Sequence, residues 1–592
     1  MPRRSFLLLL ALVTVIAVII FHRALSGEFV NWDDPSHILQ NPMLTRLDAD
    51  AIARIWSSSW FGLYVPVTYS AWAGVAALAR LFAEPIDPAF FHALNLLLHI
   101  VNAWILGRLL LRWTRSPWAL FAGLGVFLWH PLQVESVVWV SGLKDVLSTG
   151  LCLGAILVWS SNGSRGAEAR ETTGVRVMLL GSVLFALAML AKPSVAALAV
   201  FPLLFLTRRN SQRETWSALI LSLVNVAVAM PIVQHTRTLQ ASDSPTFLTL
   251  WERGIVALDA LGFYVIKVFG PIGLAADYGR TPERVIALVR GGDGLMSMVV
   301  GGIFVAVGVV GAWWLRRRSG GVHPGFWFCM LALLPVLGLV PFGFQKISTV
   351  ADRYMYPVMA GVAMLVAVGV NARIWERAQW MRVVMRVTAV LVLLLLGVIS
   401  YGLVPNWQST ATLFERVLVV NPRSFSAHNN LGLLDVERGA LDAAEVRFRK
   451  AIEANGSFSR AHDNLGVVLQ KRGLTEAALP HHVEAVRVDP GYAMAQSNLG
   501  VALQKLGRLD ESIEHLRMAT LLDPLRADGF NNLGVSLELR GELAAAEQSY
   551  VQALRLDPNS TLARMNLGIV QEKLGRATEG KQSPDEMNKN NK

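Results

Sequence analysis

The chain has 592 residues, of which 53% are hydrophobic and 16% are charged, and its formal net charge is +11. This composition excludes an ordinary soluble protein of this length. The arginines lie in short stretches between apolar runs, so the positive charge does not indicate a nucleic-acid partner. Both cysteines, Cys152 and Cys329, lie within apolar segments, which argues against a disulfide framework or a thiolate metal site.

Long apolar runs are confined to residues 1–404, which predicts a polytopic membrane domain there. The first run, Phe6 to Phe21, follows Arg3-Arg4 and could be a signal peptide. We interpret it as an uncleaved span, because further apolar segments follow and no small-x-small cleavage site stands after it. With it we predict about eleven spans, the others near 91–112, 117–134, 143–160, 177–191, 194–207, 216–234, 295–315, 325–343, 354–371 and 384–404.

If these spans alternate, the arginine clusters between them share one side, which the positive-inside rule assigns to the cytoplasm. The first loop, the region from His130 to Lys144, and the C-terminal residues then lie on the opposite face. Segment 250–273 would disrupt the alternation as a full span, so we interpret it as interfacial or re-entrant. A bacterial inner membrane is the predicted location, with the endoplasmic reticulum membrane as the alternative for a eukaryotic chain.

Two adjacent carboxylates follow the first span, in the stretch Phe29-Val30-Asn31-Trp32-Asp33-Asp34-Pro35. A carboxylate beside a membrane surface can take the proton of an acceptor hydroxyl during transfer from a membrane-embedded donor. The alternative is structural, with Asp34 as a helix N-cap and Pro35 in the first turn. That alternative leaves Asp33 without a structural role, and we predict Asp33 and Asp34 as catalytic residues.

Polar residues also recur within and at the ends of the predicted spans. A charged side chain costs about 2.5–3.5 kcal/mol at mid-membrane, so such residues are functional candidates. His92, Asn95 and His99 are spaced three and four apart and share one helix face. Singly, each has a packing role as its alternative; together they predict a substrate site made of His92, Asn95, His130, Glu135, Lys144, Lys192, Asp352 and Arg353.

The C-terminal part is charged and repetitive. The tripeptide Asn-Leu-Gly begins at Asn430, Asn464, Asn498, Asn532 and Asn566, with a period of 34 residues. This period, with glycine at each inter-helix turn, predicts a tetratricopeptide-repeat α-solenoid over 405–580 and a disordered tail over 581–592. The asparagines either line a groove for a protein partner or bond between helices: Asn430, Asn464, Asn498 and Asn532.

The order of these motifs resembles the transmembrane and tetratricopeptide-repeat O-mannosyltransferases. The residues that carry the resemblance are Trp32-Asp33-Asp34, Phe91-His92 with Asn95 and His99, His130-Pro131 with Glu135, Lys144-Asp145, Lys192-Pro193, Asp352-Arg353-Tyr354 and the repeats. The resemblance covers nearly the whole chain. It implies an all-α fold in which a GT-C-like transmembrane helix bundle precedes the solenoid, and it implies Asp33 as the base.

The same resemblance implies a polyprenyl-phosphate sugar as donor, with mannose favoured, and an extracytoplasmic protein as acceptor or partner. Lys144, Lys192 and Arg353 are the candidates for stabilising the leaving phosphate. A divalent metal between Asp33, Asp34 and the donor phosphate is an open alternative, although the sequence offers no clear third ligand. Two other functions stay open: a catalytically silent membrane scaffold, and a transferase acting on a lipid or envelope glycan.

Overall fold

The computed structural model describes residues 2–82, 85–160, 170–206, 212–239, 248–319, 324–372, 375 and 378–579, so the predicted tail lies outside it. Regular structure in these ranges is helical, and a single isolated β-bridge joins Trp60 and Leu63. The all-helical prediction is confirmed. The chain divides into two compact units, Met1–Pro422 and Arg423–Lys592.

The helices of the first unit, as far as it is described, are α1 (Arg3–Phe21), α2 (Ala49–Ser57), α3 (Pro66–Arg80), α4 (Ala89–Leu110), α5 (Pro117–Trp129), α6 (Val134–Val138), α7 (Leu143–Trp159), α8 (Arg170–Ala191), α9 (Phe201–Leu206), α10 (Gln212–Leu239), α11 (Leu250–Phe269), α12 (Pro282–Gly291), α13 (Leu295–Ser319), α14 (Pro324–Leu333), α15 (Met355–Val370), α16 (Gln379–Leu403) and α17 (Thr410–Val420). Short 3-10 turns extend several of them.

Six stretches in the described ranges are helical, long and apolar enough to cross a membrane: Arg3–Ser26, Ala89–Leu110, Val140–Trp159, Trp216–Leu239, Asp352–Val370 and Gln379–Trp407. A seventh is obtained if α12 and α13, bent by 98°, form one broken span. Sequence reasoning predicted about eleven. Part of the difference has a local cause, since proline has no backbone N–H to donate within a helix and the predicted spans 117–134 and 325–343 are interrupted at or near Pro131 and Pro335.

The segment read from sequence as interfacial or re-entrant forms the helix α11, and it is not among the six candidate spans. Its N-terminus has a capping box, in which the Thr249 hydroxyl and the Glu252 carboxylate bond each other's backbone N–H. Gly262 lets α11 approach α13 closely, because a Cβ there would lie 1.6 Å from the Ser297 carbonyl oxygen. Close helix contact therefore explains the glycine.

The long connection between α1 and α3 is folded rather than extended. Its apolar residues Ile38, Met43 and Ile55 are buried against Tyr69 and Trp72 of α3. Burying such side chains contributes about 1.5–3 kcal/mol each, which is enough to hold a segment of irregular backbone in one place. The acidic stretch therefore precedes a segment whose position is fixed by packing.

The second unit is a series of antiparallel helix pairs: α18 (Phe425–Glu437) with α19 (Leu441–Ala454), α20 (Ser459–Lys471) with α21 (Thr475–Val488), α22 (Ala493–Lys505) with α23 (Leu509–Leu522), and α24 (Ala527–Arg540) with α25 (Leu543–Leu556), followed by α26 (Thr561–Glu579). The predicted solenoid is confirmed, but its first helix pair begins at Phe425, and residues 405–422 belong to the first unit. In each pair the turn glycine has a positive φ, as at Gly473 with 80°.

The glycine of each Asn-Leu-Gly tripeptide has a different role. At Gly466 an added Cβ would lie 2.5 Å from the His482 ring, and at Gly534 it would lie 2.6 Å from the Tyr550 ring. Paired helices therefore cross where the first helix has no side chain and the second has a bulky one. This is the packing that the 34-residue period encodes.

Candidate functional site

We call residues 27–34 the acidic loop. The Asp34 side chain fixes this loop to the rest of the protein. The Asp34 carboxylate is fully buried and accepts hydrogen bonds from the Val30 N–H at 3.0 Å, the Ser141 N–H at 3.1 Å and the Ser141 hydroxyl at 2.6 Å. It does not cap the short helix that begins at Pro35, so the N-cap alternative does not describe its side chain. Asp34 instead joins the loop to the turn before α7.

Asp33 points the other way. Its side chain is 35% exposed and lies 3.8 Å from the Lys144 ammonium, which is itself only 10% exposed. Adjacent carboxylates thus have different environments: Asp34 is saturated by donors from the protein, whereas Asp33 is open to solvent beside one cation. Of the two, Asp33 has the accessibility that a proton acceptor for an incoming hydroxyl requires.

Burial affects the charge states around this loop. It raises the pKa of Asp34 to about 7, although the hydrogen bonds from Ser141 and Val30 act in the opposite direction. His37, two residues after Pro35, has a pKa lowered to about 3, mainly by burial and then by the Lys144 charge. His37 is therefore neutral near pH 7, and its Nδ1 lies 3.2 Å from the Tyr69 hydroxyl. Sequence reasoning did not single out His37.

The structure brings the three predicted cations together, each paired with a carboxylate: Lys144 with Asp33 at 3.8 Å, Lys192 with Asp145 at 2.5 Å, and Arg353 with Glu135 at 2.7 Å. Glu135 also accepts the backbone N–H of Arg353 at 3.1 Å, so this buried pair is doubly hydrogen-bonded. The predicted residues from three separate regions of the chain therefore form one cluster.

Aromatic rings connect the members of this cluster. Trp139 has the Lys144 ammonium 5.7 Å from its ring centre on one side and the Arg353 guanidinium at 5.6 Å. Tyr354 likewise has Lys192 at 5.6 Å and Arg353 at 5.1 Å. Cations held over ring faces are stabilised without losing their charge. Trp139, which sequence reasoning missed, is buried and its indole N–H has no hydrogen-bond acceptor among the described residues.

A segment from the far end of the unit completes the site. We call residues 404–420, which include α17, the strap. Gln408 of the strap accepts the Glu28 N–H at 2.8 Å, and the Thr410 hydroxyl accepts the Asn31 N–H at 2.9 Å. The Trp32 and Phe414 rings lie 5.6 Å apart. The strap therefore also fixes the acidic loop. The two segments are 379 positions apart, and no repeat or motif in the sequence indicates that they are in contact.

Three predicted substrate residues are engaged with the protein itself. Asn95 donates to the Trp139 carbonyl at 2.7 Å, and the His130 Nε2 lies 3.0 Å from the Val268 carbonyl. His92 is buried and its ring packs against Gly27. These three residues support the walls of the site rather than open into it.

Asp352 lies at the edge of the cluster and accepts a hydrogen bond from the Tyr278 hydroxyl at 2.7 Å. Beside it is a cleft that Glu135 also lines. The strap contributes Trp407 and Arg416 to the same cleft. Tyr278 and Arg416 are further site residues that sequence reasoning missed, because each stands alone in a segment without a motif.

The repeat asparagines bond between neighbouring units. Asn464 donates to Asn429 at 2.9 Å, Asn498 donates to both oxygens of Asp463 at 3.0 and 3.1 Å, and Asn532 donates to Ser497 at 3.5 Å. The partner is always 35 positions earlier, in the preceding repeat. Asn430 has no earlier repeat to contact and bonds the Ser426 carbonyl at 2.9 Å. Their amide groups therefore serve the alternative that sequence reasoning weighed equally, contact between helices.

Metal binding has little support in the geometry of the acidic loop. Both oxygens of Asp34 accept hydrogen bonds from the protein, which leaves Asp33 without a second free carboxylate beside it. Within the described ranges, no group of three or more His, Cys, Asp and Glu side chains could hold a metal ion.

Comparison with known proteins identifies the repeats. A tetratricopeptide-repeat family model matches residues 464–531, 497–561 and 531–580. Among solved structures, YrrB, described as a TPR protein with an unusual peptide-binding site, is 26% identical over 26% of this chain and 80% of its own, with a TM-score of 0.24. Pseudomonas aeruginosa pilF is 28% identical over 27% of this chain and 72% of its own, with a TM-score of 0.25. No curated protein matches the chain.

The second unit is thus built from tetratricopeptide repeats, which generally mediate binding to protein partners. The first unit has several apolar helices that are compatible with a membrane protein.

Proposed function

We propose that this protein is a membrane glycosyltransferase that moves a sugar, with mannose as the first choice, from a polyprenyl-phosphate donor to Ser or Thr hydroxyls of extracytoplasmic proteins. The observation that carries the proposal is that two adjacent acids, Asp33 and Asp34, have different environments. Asp34 is buried and saturated with hydrogen bonds, whereas Asp33 is accessible beside Lys144. Asp34 is therefore a positioning residue and Asp33 is the proposed base.

The proposed reaction is one inverting displacement. The acceptor hydroxyl oxygen forms a bond to the anomeric carbon, its proton goes to the Asp33 carboxylate, and the bond from that carbon to the donor phosphate oxygen breaks. The electron pair leaves with the phosphate. Lys144 lies 3.8 Å from Asp33, so once Asp33 is neutralised by the proton, the Lys144 charge is free to act on the leaving phosphate.

Lys192 and Arg353 contribute differently. Each already has a buried carboxylate partner, which keeps the charge fixed in place before the donor arrives. Preorganised charges stabilise a developing anion without reorganising during the reaction. In the proposal, Lys192 and Arg353 therefore set the electrostatic potential of the site. Lys144 is the cation whose interaction changes when the proton moves to Asp33.

The repeats give this enzyme its second proposed property. Tetratricopeptide repeats bind proteins, so we infer that the second unit holds the protein acceptor or a partner that delivers it. The membrane orientation that places the acidic loop and the second unit outside the cytoplasm follows from the arginine distribution and is part of the proposal.

The test is sugar transfer by the purified chain from radiolabelled polyprenyl-phosphate mannose to envelope proteins. Asp33→Asn should abolish transfer, since general-base catalysis contributes about 10²–10⁴-fold. Asp50→Asn, an exposed acid on α2, is the matched control and should transfer at the wild-type rate. Equal transfer by wild type and Asp33→Asn would remove Asp33 from the reaction. If wild type does not transfer mannose, the assay is repeated with polyprenyl-phosphate glucose and polyprenyl-phosphate N-acetylglucosamine as donors.

The second candidate is a membrane scaffold without catalysis. The family match to protein-binding repeats favours it, as does the pairing of all three cations with carboxylates of the protein. A scaffold tolerates Asp33→Asn with partner binding unchanged and transfers nothing from any donor. The envelope-glycan alternative is distinguished by deleting the second unit, since a protein acceptor should then be lost and a glycan acceptor retained.

A further inference from the structure

Helix α26 begins a fifth repeat whose second helix is absent from the described part of the chain. Its tripeptide Asn566-Leu567-Gly568 continues the 34-residue period. In each complete repeat a second helix packs over the tripeptide glycine, as α25 does over Gly534. Outside the surrounding helix backbone, no described atom lies within 4 Å of a Cβ built on Gly568. Helix α26 is therefore one half of a helix pair.

The exposed face of α26 is the face that a second helix covers in the other repeats. One position on this face is at most 7% exposed in all four complete repeats: Asn429, Asp463, Ser497 and Asn531. Met565 takes the same position in α26 and is 57% exposed. Leu562 and Ile569, three positions before it and four after it, are 54% and 40% exposed and share its side of the helix. The unpaired face is therefore apolar.

The complete repeats show which kind of helix fits such a face. A large side chain lies over each tripeptide glycine, 16 positions after it, and a Cβ on the glycine would be 2.5–2.7 Å away: Phe448, His482, Leu516 and Tyr550. A small residue stands four positions before each large one: Ala444, Ala478, Ser512 and Ala546. Another stands three positions after it: Ala451, Ala485, Ala519 and Ala553.

These small residues are at most 4% exposed, so they lie in the contact between the paired helices. The spacing places the small, large and small residues on one side of the second helix. The small residues let the two helix backbones approach, and the large residue fills the space above the glycine. The same pattern occurs four times in this chain, and it defines the helix that α26 can pair with.

Two other occupants match the pattern less well. In the register of the repeats, the sequence after α26 places Pro584 at the position of the large residue, and proline interrupts a helix. A second copy of α26 contains no aromatic residue, and on the unpaired face it offers Met565 as its large side chain. A helix from another protein can supply the aromatic anchor that dominates many interfaces.

We infer that α26 is the docking site for an amphipathic helix of a partner protein. The face of that helix has a small residue, a large apolar or aromatic residue four positions later, and a small residue three positions further on. Its large side chain lies over Gly568, while Met565 and Ile569 pack beside it. The inference rests on the proposed function only where the second unit binds a protein, and it specifies the chemistry of that protein.

The probe is a synthetic helix with the sequence of residues 541–558, which include α25. A hydrocarbon staple between positions 544 and 548, both exposed in α25, keeps this short peptide helical. Fluorescence anisotropy measures its binding to the purified full chain in detergent. A matched peptide with Tyr550→Ala should bind about ten- to a hundredfold more weakly, which is the loss expected when an interface loses an aromatic anchor.

Variants of the full chain locate the binding. Gly568→Phe fills the space that the partner's large side chain requires, so it should weaken peptide binding at least about tenfold. Gln548→Phe adds the same ring at an exposed position of α25 and is the matched control, with wild-type affinity expected. Gly568 is exposed inside a helix, where glycine is unfavourable, so Gly568→Phe should not lower the melting temperature.

Three results would overturn the inference: equal binding of the two peptides, wild-type affinity in Gly568→Phe, and no binding to wild type at up to about 1 mM peptide. Light scattering and a chain without residues 580–592 test the other occupants. A dimer that Gly568→Phe converts to a monomer would assign the face to a second copy. Binding that appears only in the shortened chain would assign it to residues 580–592, and either result would overturn the partner helix.

Sugar transfer is measured on the same samples, so that the two proposals can fail separately. Peptide binding that depends on Gly568, without transfer from any donor, would refute the proposed function and keep the docking site. Transfer by a chain that does not bind the peptide would refute only the docking site.

Discussion

The hydrogen bonds of Ser141 to Asp34 allow a quantitative test of how the acidic loop is held. The Ser141 hydroxyl donates to the Asp34 carboxylate at 2.6 Å, and both groups are fully buried. Above about pH 7, where Asp34 is ionised, a hydrogen bond to its charged carboxylate contributes about 1.5–3 kcal/mol. Ser141→Ala removes this donor and leaves the two backbone N–H donors, so local opening of the loop should become easier by that amount.

Hydrogen exchange of the loop amides measures this opening. The Val30 N–H bonds Asp34 and the Asn31 N–H bonds Thr410, so both exchange only when the loop opens. Ser141→Ala should accelerate their exchange by about ten- to a hundredfold. Ser136→Ala is the matched control, since the Ser136 hydroxyl is buried nearby but has no partner in the described structure. Unchanged exchange in Ser141→Ala would refute the claim that Asp34 anchors the loop.

Three further predictions concern charge and stability. Burial raises the pKa of Asp34 from 3.8 to about 7, so between these pH values the folded state retains a proton that the unfolded state loses. The resulting stability is fully present below about pH 4 and falls as the pH rises to about 7. The melting temperature of wild type relative to Asp34→Asn should therefore fall across that window. A constant difference would contradict the raised pKa. Glu135→Gln leaves Arg353 buried without its counter-charge and should cost about 3–5 kcal/mol in unfolding free energy, part of which Arg353→Gln should restore in the double variant. Asp463→Ala removes the acceptor of the buried His482 ring and of the half-buried Asn498 amide and should destabilise the repeats by about 3 kcal/mol, against less than about 0.5 for the exposed Asp442→Ala. Equal denaturation midpoints would contradict the role of Asp463 in joining neighbouring repeats.

The solenoid could be predicted from sequence almost completely, because each repeat is a local unit whose period specifies both turn and crossing glycine. Gly466 and Gly473 illustrate this, since one meets the His482 ring and the other supplies the left-handed turn. The first unit could be predicted less well. Mean hydropathy is the same whether or not a proline divides an apolar run. It therefore predicts a span over 117–134, although the helix there ends at Trp129.

The candidate site divides in the same way. Charged residues inside apolar runs are conspicuous, which is why Lys144, Lys192 and Arg353 could be singled out. Sequence could not assign their carboxylate partners, because those contacts join distant segments. The strap illustrates the limit most clearly: Thr410 contacts Asn31, yet neither position has a composition or a spacing that distinguishes it from an ordinary connection.

The central claim is that Asp33 acts in the chemical step rather than in holding the donor or the fold. One sample of purified Asp33→Asn protein tests it when polyprenyl-phosphate mannose binding and mannose transfer are measured together. We expect donor binding within about threefold of wild type and transfer reduced by at least about 10²-fold, the minimum contribution of a general base. Transfer that falls only in proportion to donor binding, or that does not fall, would contradict the account.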